Sequence, residues 1–303
     1  MAKARELRRR IKSVQSTRQI TKTMEMVATS KLKRAQDRVI AARPYAAALA
    51  DVLADLDAPA YAERFPLLRQ PEGGVRRAAL VLVTSNRGLC GGFNANLIRE
   101  ARRRMQELKE QGATVDLHLI GRKGVSYFRF ARQPIASQRI DIGDRPTPEH
   151  AGEVMAPLVQ AFEQGELDAV EVVYAQFNSP MSAPPVTRRI LPVETGRRAA
   201  GQPGQGDLPA GPPARLAAFY ILRPSAAEIL ERLLPLYVRN QMFRALVETA
   251  AGFQGAQRTA MKNATDSAGE ILDVLTRTYN RARQAQITQE LAEIVGGAEA
   301  LKG

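Results

Sequence analysis

Two heptad seams, one at each end of this chain, constrain its fold more than any other feature. The first runs Leu7, Ile11, Val14, Arg18, Thr21, Glu25, Ala28, Leu32, Ala35, Val39, Ala42, Ala46, Leu49, Leu53, Leu56. Its alternating steps of four and three are the period of a helix that packs along one stripe. The second runs Ala264, Ala268, Ile271, Leu275, Thr278, Ala282, Ala285, Gln289, Ala292. Some two hundred residues separate the two, so they close on each other only as an antiparallel pair that flanks whatever lies between. Toward the C-terminus the seam positions are small or polar. Such a coiled coil is thin and weakly hydrophobic at its tip, a shape suited to a shaft that slips inside another protein.

The first helix is expected from about Ala2 to Asp57, with Pro44 its one awkward point. At ~1.5 Å per residue it would span about 80 Å. Residues 1–43 carry 13 Lys/Arg against Glu6, Glu25 and Asp37, a net of +10 of the whole chain's +13. That imbalance implies an acidic partner. Nucleic acid is one such partner, but the first aromatic is Tyr45, the chain has no Trp, and no nucleic-acid-binding motif is present. A basic helical hairpin that binds nucleic acid is therefore the weaker alternative.

Pro59, Pro66 and Pro71 with Gly73 and Gly74 mark a linker. The centre then alternates strand and helix: strand 78–84, helix 94–111 ended by Gly112, strand 115–120, helix 123–131, strand 135–142, a helix from Pro148 to Gly165, and strands 168–177 and 185–193. Arg188 and Arg189 place the last of these near a sheet edge. The order predicts a partly parallel α/β sheet with helices on its faces. Thr195–Arg215, rich in Gly, Pro and Ala, reads as a flexible loop, and Leu216–Leu222 as a final strand. Ser225 with Glu228 three residues on reads as a capping box opening a helix to about Val295, with Pro235 inside it. The chain thus divides into an N-terminal helix (1–58), a central α/β domain (75–222, loop 195–215) and a C-terminal helix (223–303).

Apolar runs such as Ala78–Val83 fall far short of the roughly 18 residues of a membrane helix. The N-terminus is basic without the apolar core of a signal peptide, which reads as cytoplasmic. Cys90 is the only cysteine, and His118 and His150 lie in different elements, so neither a disulfide nor a zinc site is expected. The loop Gly88–Gly92 follows a strand and precedes a helix, but it has neither Gly-x-Gly-x-x-Gly spacing nor a P-loop Lys. Gly121-Arg122-Lys123-Gly124 is equally incomplete. Both read as tight turns, and no catalytic set is found; a nucleotide-dependent enzyme is the weakest reading.

Three segments resemble the gamma subunit of rotary (F-type) ATP synthases of bacterial type. They are Ile20-Thr21-Lys22-Thr23-Met24-Glu25-Met26-Val27-Ala28, the stretch Thr84-Ser85-Asn86-Arg87-Gly88-Leu89-Cys90-Gly91-Gly92-Phe93-Asn94, and Tyr279 to Gly297 with Gln284, Gln286, Thr288, Glu290 and Glu293. The resemblance covers the whole chain. It implies a hairpin of terminal helices inserted into an alpha/beta hexamer, with a central Rossmann-like domain near the membrane rotor. It also implies partners in the alpha and beta subunits, the epsilon subunit and the membrane c-ring, with no nucleic acid, cofactor or small-molecule substrate. The implied place is the cytoplasmic face of the bacterial plasma membrane, as a peripheral part of the complex, with catalysis on the beta subunits. By matching position it places beta contacts at Met24, Gln284, Thr288, Glu290 and Glu293, and a rotor-ring or epsilon foot at Tyr220 and Arg223. Two positions depart from the family pattern: Gln257 stands where an arginine is usual, and Arg223 where a glutamate is. Plant-type members carry a regulatory cysteine pair; Cys90 stands alone, so no such redox switch is expected here.

Overall fold

The computed structural model describes residues 2–55, 64–71, 73–193 and 225–300. The loop 195–215, the strand expected at 216–222, and Tyr220 and Arg223 lie outside the described residues, as does Leu56. Two compact units form: residues 1–28 with 257–303, and residues 29–256.

The larger unit is a three-layer α/β/α domain. Its strands are β1 (Arg77–Val83), β2 (Thr114–Ile120), β3 (Ser137–Arg139), β4 (Ala169–Ala175) and β5 (Pro185–Leu191), ordered β3-β2-β1-β4-β5. The first four are parallel, and β5 closes one edge antiparallel to β4, as its two arginines suggested. The central strands read as near-continuous apolar runs because both their faces are covered. On one face Ala79, Val81, Val83, Val170 and Val172 pack with Met155, Leu158 and Phe162 of α4 (Pro148–Glu163), and with Leu230, Leu234, Val238 and Met242 of α5 (Ala226–Ala300). On the other, Leu80, Leu82, Leu117 and Leu119 meet Phe93 and Leu97 of α2 (Phe93–Glu110) and Val125 and Phe128 of α3 (Arg122–Phe130).

Caps follow local chemistry. Gly112 takes φ +84° just beyond the end of α2, a left-handed turn that glycine adopts without strain. Thr147 caps α4, and His150 Nδ1 accepts from the Thr147 backbone N–H at 3.2 Å, so this histidine completes a capping box. Ser225 Oγ accepts from the Glu228 N–H at 3.3 Å at the start of α5. That helix runs five residues beyond the expected Val295, to Ala300. Helix α1 (Ala2–Asp55) holds Pro44 within it. Its stripe Leu32, Ala35, Val39 packs on Val247 and Ala251 of α5 and on Phe177, and Ala46, Leu49 and Leu53 continue the buried line.

Strand β3 is shorter than the expected 135–142. The carbonyls of Ile140 and Ile142 accept from Asn86 Nδ2 at 2.9 and 3.0 Å, so a side chain takes the place of a ladder there.

The smaller unit pairs the start of α1 with the end of α5. Thr265 and Thr21 hydrogen-bond through their hydroxyls at 2.8 Å, both buried, and Leu7, Ile11, Val14 and Glu25 are half-buried along the α1 stripe, while Arg18 is exposed. The stripe on α5 needs a correction. Met261, Thr265, Ala268 and Leu272 are buried and Leu275, Tyr279, Ala282 and Gln286 half-buried, whereas Ile271, Thr278, Ala285, Gln289 and Ala292 are exposed. Ala268, Leu275 and Ala282 belong to both phases; the alternate positions shift by one residue. Leu272 and Tyr279 put more apolar surface into the interface than Ile271 and Thr278 could together, which selects the second phase.

Candidate functional site

In an open parallel sheet a ligand crevice forms at the carboxyl ends of the strands, where the strand order reverses. Here that point lies between β1 and β4, and α5 fills it. The N–H of Ala175, at the end of β4, donates to Thr249 Oγ1 at 3.2 Å, and the Phe177 N–H donates to Glu248 Oε2 at 3.1 Å. Glu248 is itself held by Arg244 at 2.6 Å. Phe253 closes the remaining gap, with the Arg87 guanidinium 5.8 Å from its ring centre. What is left between Thr84, Asn86, Asp144, Thr249 and Phe253 is a cavity of about 30 Å³, room for a water and far too small for a nucleotide.

The glycine-rich turns serve the same closure. The first N–H groups of α3 are the natural anion-binding end of a helix. They are consumed internally: Arg122 N–H donates to Asn86 Oδ1 at 2.8 Å, Lys123 N–H to the Ser85 carbonyl at 3.2 Å, and Gly124 N–H to Thr84 Oγ1 at 3.0 Å. Gly121 permits this approach, because a Cβ there would stand 2.1 Å from the Thr84 carbonyl oxygen. The loop after β1 is tied in turn, with Ser85 N–H donating to Asn94 Oδ1 at 3.1 Å. Asp144 binds Arg87 and also lies 3.8 Å from Lys31 of α1, joining helix, loop and sheet edge.

Cys90 is buried beside Asn94, whose Nδ2 donates to its Sγ at 3.2 Å, and burial pushes the thiol pKa up, away from the thiolate a nucleophile needs. His118 sits on β2 with Nδ1 2.7 Å from Ser137 Oγ, its pKa lowered by burial. Among the described residues no three His, Cys, Asp or Glu side chains cluster as a metal set would.

The other sequence-derived residues lie in the helical pair. Met24 is half-buried on α1. Gln284, Thr288, Glu290 and Glu293 are exposed on α5. Thr288 Oγ1 donates to the Gln284 carbonyl at 3.0 Å, confirming that the two stand one turn apart. Glu290 and Glu293 accept from Gln286 and Gln289 at 2.8 and 3.0 Å on the same helix. With Thr21 opposite Thr265, the first residue of α1 stands level with about residue 284, so α5 runs on past its partner. Beyond Gln286 every described side chain is exposed, Ile287, Leu291, Ile294 and Val295 included. In the basic stretch of α1, Glu6, Glu25 and Asp37 are each paired with a neighbouring cation, and most of the Lys and Arg side chains face solvent.

Sequence reasoning missed Glu248, Thr249 and Gln254. The i, i+4 spacing of Arg244 and Glu248 was a readable signal of an ion pair. Gln254 is 1% exposed, and neither its amide nitrogen nor its oxygen has a hydrogen-bond partner among the described residues; nothing in the sequence distinguishes it from a surface glutamine.

The sequence model of a family described as ATP synthase matches residues 3–301. An ATP synthase gamma chain of Gemmatimonas aurantiaca is 59% identical over 303 residues, covering all of both chains. The chain belongs to the ATP synthase gamma-chain family. It is the central stalk of a rotary ATP synthase, and the nucleic-acid-binding alternative is not supported. Gamma chains of Moorella thermoacetica (44% identical, all of both chains) and Leptospira biflexa (39%, over 99% of this chain and all of that one) are more distant relatives. The fold matches a chain of the Euglena gracilis mitochondrial ATP synthase with a TM-score of 0.67 at 18% identity, over 99% of this chain and 95% of that one. No helix among the described residues is long and apolar enough to cross a membrane.

Proposed function

We propose that this gamma chain is a non-catalytic shaft, working through contact alone. Its α5 tip and the basic α1 helix meet an alpha/beta hexamer, and its central α/β domain meets the epsilon subunit and the membrane c-ring. The complex sits at the cytoplasmic face of a bacterial plasma membrane, with gamma as a peripheral part. Three segments divide this work: the N-terminal helix (1–58), the central domain (75–222) and the C-terminal helix (223–303). The observation that carries the reading is the overhanging end of α5, a bare helix whose described side chains beyond Gln286 are all exposed and whose polar contacts run along α5 itself. The crevice filled by α5 supports the non-catalytic part, because the position where this fold class would hold a nucleotide is occupied by Thr249 and Phe253.

Such a shaft biases each partner site only as far as it touches that site's conformations differently. Gln284 and Thr288, one turn apart on the exposed end, are the polar contacts assigned to beta, with Met24, Glu290 and Glu293 beside them; Tyr220 and Arg223 are assigned to the rotor-side foot. Leaving a buried interfacial partner unpaired costs about 1–3 kcal/mol, which is several-fold or more in rate where that state limits turnover. Gln284→Ala with Thr288→Ala is therefore expected to lower steady-state ATPase of the reconstituted complex several-fold. The isolated chain should keep its helicity by circular dichroism and its melting point. Turnover equal to wild type would mean that these two side chains face solvent in the complex.

A further inference from the structure

Between α2 and α3 lies an open groove of about 980 Å³, within the α/β domain and on the face away from α4. Its floor is apolar, with Ala95 and Ala131 exposed and Ile98, Met105 and Phe128 largely covered beneath, and Arg99, Arg102, Arg103, Lys109 and Lys123 stand along it, with no acidic side chain among the lining residues. The cations divide into two kinds. Arg103 is neutralised by Glu100 and Glu107, and the neighbouring Arg104, outside the groove, binds Glu171 and Glu107. Arg99, Arg102, Lys109 and Lys123 have no carboxylate partner among the described residues. Arg99 and Arg102 make hydrogen bonds only to neutral groups, Asn96 Oδ1 at 3.3 Å and the Tyr127 hydroxyl at 3.1 Å.

We propose that this groove docks an acidic amphipathic helix of a partner protein. The groove follows α2 from Asn94 to Lys109, which at ~1.5 Å per residue is about 22 Å, the length of roughly four helical turns. An apolar floor flanked by unpaired cations complements a helix with an apolar stripe and carboxylates beside it. A flat anionic lipid surface would meet a convex basic face rather than this furrow. A nucleotide would find no free backbone N–H at the nearby helix start, since those of Arg122, Lys123 and Gly124 are already bonded. The site is separate from the α5 tip and does not depend on the role assigned to it.

The test uses the assembled complex with a photo-crosslinking amino acid in place of Gln106, which lines the groove and is exposed. The crosslinked peptide is identified by mass spectrometry. The expected product is a helical segment of another subunit with Asp or Glu beside an apolar stripe. Its yield should fall at least tenfold in the triple variant Arg99→Glu, Arg102→Glu, Lys109→Glu, and should fall as salt is raised. Should the reversal disturb folding, the neutral set Arg99→Gln, Arg102→Gln, Lys109→Gln reads the same contact with smaller loss. A crosslink to lipid, to nucleic acid or to a non-acidic segment overturns the proposal. So does the absence of any crosslink, or a yield indifferent to these substitutions in a chain that melts like wild type.

Discussion

Glu171→Ala is expected to cost about 3–5 kcal/mol of stability, the usual penalty for stranding a buried charge. Glu171 lies on the central strand β4 and is only 2% exposed. Both its carboxylate oxygens are engaged by Arg104 of α2, at 2.6 and 2.7 Å, and Arg189 of the edge strand lies 3.3 Å away. One carboxylate therefore pins a helix and an edge strand to the middle of the sheet. Its removal leaves Arg104 within the packed layer with Glu107 as its one remaining acid among the described residues. The check is chemical denaturation of the full chain, monitored by circular dichroism. Replacing Glu171 and Arg104 together by apolar residues should recover a large part of the loss, because the penalty comes from the unpaired charge. A single variant as stable as wild type would show that water reaches Arg104 and that the cluster is an ordinary surface pair.

Gly121→Ala should be comparably damaging, with a loss of about 3 kcal/mol or more combining backbone strain and overlap. Gly121 has φ +97° and ψ 138°, a region open to glycine and closed to L-residues. The added methyl would meet backbone, the Thr84 carbonyl oxygen at 2.1 Å and carbon at 2.6 Å, with no flexible side chain to move aside. Relief requires separating the ends of β1 and β2, which breaks the bonds from Thr84 Oγ1 to the Ile120 carbonyl and from the Gly124 N–H to Thr84 Oγ1, both at 3.0 Å. Thermal melting and the yield of assembled complex measure this. Gly91→Ala is the control, since its added methyl meets nothing within 4 Å although its φ is also positive. Equal losses in both variants would assign the effect to φ alone.

What could be read from residues alone divides along the range of the interaction. The α1 stripe from Leu32 to Leu53, the apolar run of β1 and the stop at Gly112 are decided by neighbours a few positions away, and the structure keeps them. The α5 phase was ambiguous because Ile271 and Leu272 are adjacent and equally apolar. Only the opposing helix decides which one is covered. The end of β3 depends on Asn86, more than fifty positions earlier, and the Glu171 cluster joins residues 67 and 18 positions away. No local pattern carries such information. The residues assigned to partner subunits are a separate case: their side chains look like ordinary solvated groups within the chain, and only family resemblance marks them.

The overhang of α5 gives the free protein a fluctuating end. The overhang extends a helix already formed, so it needs no nucleus of its own, but without lateral packing little offsets the entropy of holding its residues and the end frays. In the chain alone, residues from Ile287 onward are expected to open and close freely, and their amides should exchange with deuterium in the fastest class. Inside the complex the same amides should become protected. Part of the affinity for the hexamer is then consumed in ordering this segment, so substitutions that raise its helicity without touching a contact should tighten assembly. The end of the shaft takes its rigidity from its bearing.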